Sequence, residues 1–149
     1  MGTNIRNDIS QKNPYYLTKH EYLMCRHFAL QYPEWKVRKR EIESRVSGGF
    51  KMDRIQESHV DSTVESLYDL AELYSFRIDM IEQVAKIAGE DIWTFVLLGV
   101  TTERSYECLR TTYGIPCCKD IYYRMYRKFY WLLNRQICKL FNGRPDYIL

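Results

Sequence analysis

Residues 105–140 read SYECLRTTYGIPCCKDIYYRMYRKFYWLLNRQICKL, and the punctuation of that stretch decides the fold. Ser105 to Tyr113 is short and helix-compatible. Gly114 can take the left-handed conformation that stops a helix, and Pro116 prepares re-entry into a second helix near Cys117 or Cys118. Helix, glycine turn and helix in that order form a helix-turn-helix signature. In the second helix Cys118, Ile121, Tyr122, Met125, Phe129, Leu132, Leu133, Ile137 and Leu140 recur at three- and four-residue steps, which predicts one wide apolar stripe facing a core. Lys119, Tyr123, Arg124, Arg127, Lys128 and Arg135 fall between them, predicting an exposed face of cations with a tyrosine among them. At about 1.5 Å of rise per residue the helix is on the order of 30 Å long, so its first turns can enter a major groove while the rest packs on the domain. The plainer reading of such a face is a solvated basic helix on a small helical protein. The glycine-closed turn ahead of it favours a helix presented to nucleic acid.

Charge is distributed to match. The net charge of +3 hides an asymmetry: residues 1–100 carry 13 Lys and Arg against 15 Asp and Glu, whereas residues 101–149 carry 9 against 4. The basic segment is therefore the one with the helix-turn-helix signature, as suits a protein that touches a polyanion through one face. The apolar fraction of 46% is that of a globular chain. Five cysteines, Cys25, Cys108, Cys117, Cys118 and Cys138, make an odd set without the spacing of a disulfide framework, which predicts a reducing, cytoplasmic setting. The opening MGTNIRNDISQ lacks the apolar core of a signal peptide, and the longest apolar run, 92–100, is too short to span a bilayer. No membrane partner is expected.

Outward from that stretch, the rest of the chain also reads as helix. Thr18 and Glu21 form a capping box that starts a helix at about Lys19, ending near Gln31. Pro33 opens the next, expected over about 34–46 with Trp35, Val37 and Ile42 inward, and its mixed charges predict a solvated face. Ser47-Gly48-Gly49 is a break. From Val60 to Ala88 the residues Val60, Val64, Leu67, Ala71, Tyr74, Ile78, Ile81, Ala85 and Ala88 keep alternating steps of four and three, a heptad seam. A second row of Leu70, Leu73, Met80, Val84 and Ile87 widens the seam toward the breadth expected inside a bundle. Intramolecular core and homodimer seam both remain open for it. The opposite face, with Glu65, Asp69, Glu72, Asp79 and Glu82, is acidic. Gly89 is expected to end this helix, residues 92–98 to form a buried one ended by Gly99, and Thr101 or Thr102 to cap the following one. The expected architecture is all-α: an N-terminal helical pair with a frayed start over residues 1–46, a linker over 47–60, and a helical domain containing the helix-turn-helix over 61–149.

Catalytic chemistry finds little support. His20 and His27 share a helix, His59 lies in the expected linker, and Cys25 and His27, two residues apart, point to different sides. Gly-rich phosphate loops and metalloprotease motifs are absent from the sequence. No enzyme activity, cofactor or metal is expected.

The Gly-Ile-Pro turn with its following helix resembles the promoter-reading C-terminal region of bacterial sigma factors, with Pro116 and Cys117 standing where that pattern has small polar residues. More broadly, NPYYLTKHEYLMCRHFALQYPEW (residues 13–35) and VTTERSYECLRTTYGIPCCKDIYYRMYRKFYWLL (residues 100–133) resemble the RinA- and ArpU-like regulators of phages and prophages of Gram-positive bacteria. The resemblance implies a transcriptional regulator that binds double-stranded DNA through residues 119–128, with RNA polymerase as a neighbouring partner. The alternative is a phage protein that binds or inhibits a host nucleic-acid machine without reading DNA.

Overall fold

The computed structural model describes residues 13–48 and 57–142, and among these every regular element is helical. The elements are α1 (Lys19–Leu30), α2 (Tyr32–Ser47), α3 (Glu57–Gly89), a 3-10 turn (Glu90–Ile92), α4 (Trp93–Thr102), α5 (Tyr106–Tyr113) and α6 (Lys119–Asn142). The all-α expectation therefore holds. Residues 1–12 of the frayed start and 49–56 of the linker lie outside the described residues. Of the rest of that linker, Ser47 ends α2, Gly48 caps it, and 57–60 are the start of α3.

Two compact units divide the chain differently from the expected domains. Gln31–Met80 forms one of them. Here α2 buries Tyr32, Trp35 and Ile42, and α3 buries Tyr74 and Ile78. Arg38 donates to the Tyr74 hydroxyl at 3.5 Å, and the Arg77 guanidinium lies 5.4 Å from the centre of the Trp35 ring. The charges of α2 pair along its own surface, Arg38 with Glu34 and Lys39 with Glu43. Val37, expected inward, is exposed. At about 100° of turn per residue it points to the opposite side of α2 from Trp35 and Ile42.

The heptad seam of α3 matches its burial. Tyr74, Ile78, Ile81, Ala85 and Ala88 are buried, while Val64, Leu67 and Ala71 are half-buried. The side chain of Val60 lies outside the described residues. The second row behaves otherwise: Val84 is buried, but Leu70, Leu73 and Ile87 are exposed. The apolar face of α3 is thus wider than the surface packed against it.

The other compact unit joins α1 to α4, α5, α6 and the part of α3 from Ile81 onward. In it α4 packs against α1, α5 and α6, and α1 also packs on α6. Val96 and Val100 are fully buried, as expected for a central helix. Gly99 does not end α4. It sits inside the helix against Tyr122 of α6, where an added Cβ would lie 1.9 Å from the tyrosine hydroxyl oxygen. The helix ends instead at Glu103, which is left-handed (φ 57°) and whose carboxylate pairs with Arg26 of α1. Thr101 and Thr102 belong to the last turn of α4, donating to the Leu97 and Leu98 carbonyls, so neither caps the next helix.

The capping box of α1 forms as read from the sequence. The Thr18 N–H donates to Glu21 Oε1 and the Glu21 N–H to Thr18 Oγ1, each at 3.2 Å. Asn134 of α6 then donates to the second Glu21 oxygen at 2.7 Å. The Thr18 hydrogen bond, aided by Asn134, holds the Glu21 carboxyl below its ordinary value of 4.5 despite partial burial. A lowered folded pKa stabilises the fold above the ordinary carboxylate range, and that contribution disappears as pH falls through the folded value. Glu21→Gln should therefore melt below the wild type at pH 7, with the gap closing in acid. A gap independent of pH across calorimetric scans would assign the loss to geometry rather than charge.

Candidate nucleic-acid interface

Residues 105–118 prepare α6. The Ser105 side chain accepts from the Cys108 N–H at 3.2 Å, capping α5. At the other end Gly114 adopts φ 68° and ψ 41°, and the Ile115 N–H donates to the Leu109 carbonyl at 3.2 Å. This is the glycine-terminated helix end expected from Gly114, with buried Ile115 and Leu109 supplying its apolar contact. The Tyr106 hydroxyl, reaching back from α5, donates to the Cys117 carbonyl at 2.6 Å and ties down the far side of the turn. Helix α6 begins at Lys119, directly after the expected re-entry near Cys117 or Cys118. Its start is held by α5 through hydrogen bonds and packing, so the direction of its first turns is set by the fold.

The buried side of α6 is rotated from the expected stripe. Tyr122, Phe129, Leu133 and Ile137 are buried as read, but Tyr130 and Asn134 join them, while Cys118, Ile121 and Leu140 are exposed. Tyr22 and Tyr130 meet edge to face at 5.1 Å, and Tyr126 and Tyr130 at 4.9 Å. The Tyr130 hydroxyl donates to that of Tyr126 at 3.3 Å. Burial raises the hydroxyls of Tyr122, Tyr126 and Tyr130 well above the ordinary phenol range. These rings therefore remain neutral packing elements.

The six expected contact residues separate into two strips. Lys119, Tyr123 and Arg127 follow at four-residue steps, and the Lys119 ammonium lies 5.9 Å from the centre of the Tyr123 ring. Arg124, Lys128 and Arg135 follow at four and seven along the other. Lys119 and Arg124 are exposed, and five residues of helix set them about 140° apart around the axis. Arg127 and Lys128 are half-buried, with the Lys128 ammonium 3.9 Å from the Glu90 carboxylate. Arg135 is exposed, its guanidinium 4.7 Å from the centre of the Trp131 ring. Trp131 is in turn packed edge to face on Tyr15 at 5.7 Å. Tyr123 is half-buried and touches Tyr106, Tyr122 and Tyr126. The expected uniform cationic face is therefore concentrated, for unobstructed charge, at Lys119, Arg124 and Arg135.

Arg104 and Arg110 were not among the expected contacts, yet both are exposed, Arg104 just ahead of α5 and Arg110 on it. The Arg104 guanidinium stands 5.1 Å from the Tyr113 ring centre. Their place in the basic segment was the available signal. Among the described residues no three His, Cys, Asp or Glu side chains gather as a metal site, and no helix is long and apolar enough to cross a membrane. All five cysteines are free, and burial pushes the Cys25 thiol up to about 12, leaving it protonated. No protein-family model, curated protein or solved structure matches the chain.

Proposed function

We propose that this protein is a cytoplasmic, sequence-specific DNA-binding regulator of the phage type its sequence resembles, reading a duplex with the first turns of α6 as the second helix of a helix-turn-helix. The observation that carries this reading is the exposure of Lys119 and Arg124 at the start of a helix whose entry turn is locked by Tyr106 and Ile115. Cations at that end are placed for base edges and phosphates. Arg104 and Arg110 on the preceding helix segment add phosphate partners on the flank. Tyr123, partly packed and partly open, offers its ring edge beside Lys119. Arg127 and Arg135 extend the contact along the backbone, Lys128 joins them only on leaving Glu90, and RNA polymerase is the natural neighbour of a regulator bound near a promoter.

The test is a mobility shift on DNA flanking the protein's own gene, with affinity measured over a salt series. Lys119→Ala with Arg124→Ala should weaken binding and lower the log-log salt slope by about two, roughly one for each lost phosphate contact. Both side chains are exposed, so stability should change by less than about 0.5 kcal/mol each. A double variant that shifts DNA with the wild-type slope would remove these residues, and the reading with them.

A further inference from the structure

We propose that the solvent side of α3 within the Gln31–Met80 unit is a docking surface for a basic amphipathic helix of a partner protein. Leu70, Leu73, Phe76 and Met80 follow at steps of three, three and four and form one stripe along the helix. Leu70, Leu73 and Phe76 are 38%, 41% and 49% exposed, although each is large and apolar. A continuous row of this kind is unusual on a surface with no partner.

The chemistry of the occupant follows from what borders the stripe. One side is the packed seam of Tyr74 and Ile78. The other carries Glu65, Asp69, Glu72 and Asp79, at steps of four, three and seven, all exposed and without an ion pair among the described residues. Residues 57–76 contain no lysine or arginine, and Arg77, the first cation on the helix, stands over Trp35. The carboxylate row thus has no counter-charge on its own helix. A helix laid on the stripe with lysines or arginines along one flank would supply it, in the manner of the charged positions that flank a coiled-coil seam. A second copy of α3 would bring further carboxylates over the same span instead. This surface is independent of the proposed DNA contact on α6.

The probe is a synthetic three-heptad helical peptide with leucine at its seam and lysine at its flanks, compared with the same peptide carrying glutamate flanks. Binding to the full chain is read by fluorescence anisotropy. The lysine peptide should bind saturably and the glutamate peptide should not. Leu73→Gln with Phe76→Gln should weaken binding about tenfold or more, since the apolar anchors are lost. Glu72→Lys with Asp79→Lys should reverse the preference between the two peptides. All four positions are exposed, and circular dichroism melts confirm that the variants fold. Lysine-peptide affinity unchanged by Leu73→Gln with Phe76→Gln would show mere charge adsorption and overturn the proposal. A dimeric mass by light scattering that becomes monomeric in the same variant would overturn it in favour of a second copy. Binding seen only after removal of residues 143–149 would name the chain's own segment as the occupant and equally overturn it.

Discussion

Gly99→Val should cost about 3 kcal/mol or more and lower the melting temperature sharply, although valine is the better helix former. Helix propensity favours replacing a mid-helix glycine by several tenths of a kcal/mol. Packing opposes the change more strongly. An added Cβ at Gly99 lies 1.9 Å from the Tyr122 hydroxyl oxygen and 3.2 Å from its ring carbon Cζ, and Tyr122 is only 1% exposed, with no room to withdraw. Overpacking of this kind typically costs about 1–3 kcal/mol, and valine adds two methyl groups to the colliding Cβ. The Tyr122 hydroxyl is also buried without a hydrogen-bond partner. Tyr122→Phe should therefore be close to neutral or stabilise by about 1 kcal/mol, because it removes a desolvated group that gains nothing. In the Tyr122→Phe background Gly99→Ala should be tolerated far better than in the wild type, and urea melts of the four proteins measure that coupling. Additive losses would mean that α4 and α6 do not meet at this glycine.

Ile81→Ala should destabilise by roughly 2 to 5 kcal/mol, the range for truncating a large aliphatic side chain in a packed core. Ile81 is completely buried in the middle of the seam that also buries Ile78 and Ala85. The same substitution separates the two roles the heptad pattern leaves open. A lower melting temperature at unchanged mass assigns the seam to the core. A normal melt accompanied by conversion of a dimer to a monomer assigns it to an interface, and light scattering on the variant distinguishes these outcomes.

What could be read from the sequence was whatever depends on near neighbours. The Thr18–Glu21 capping box, the Gly114 helix end and the period of the α3 seam are each decided within a few residues, and each forms as expected. Glycine was harder. Gly99 and Gly89 both read as helix stops, yet Gly99 is mid-helix to admit Tyr122 of α6. Helix α3 does end at Gly89, but the left-handed residue is Glu90, and a Cβ on Gly89 would press on Val96 at 3.1 Å. A missing side chain can supply backbone freedom or close approach, and only the neighbour in space tells which. Asn134 was likewise unreadable as a core residue, because the carboxylate that satisfies it is Glu21, 113 residues away. At the candidate interface the residue types and the Gly114 helix end were legible, whereas the Tyr106 tie to the Cys117 carbonyl was not. The pairing of Lys128 with Glu90 and the packing of Tyr123 on Tyr106 were not, since both depend on where other helices lie.

The bond from Asn134 to Glu21, with Tyr22 resting on Tyr130, also bears on how the chain reaches this structure. Helix α1 is synthesised first but packs on both α4 and α6, and its docking on α6 closes a loop of more than a hundred residues. Closure entropy of that length falls on the folding rate, whereas α2 and the early part of α3 can pair over a shorter loop. On the ribosome, α1 can meet α4 first, but its contacts with α6 wait until α6 emerges. The Gln31–Met80 unit can form meanwhile, which makes the arrival of α6 the event that commits the rest of the fold.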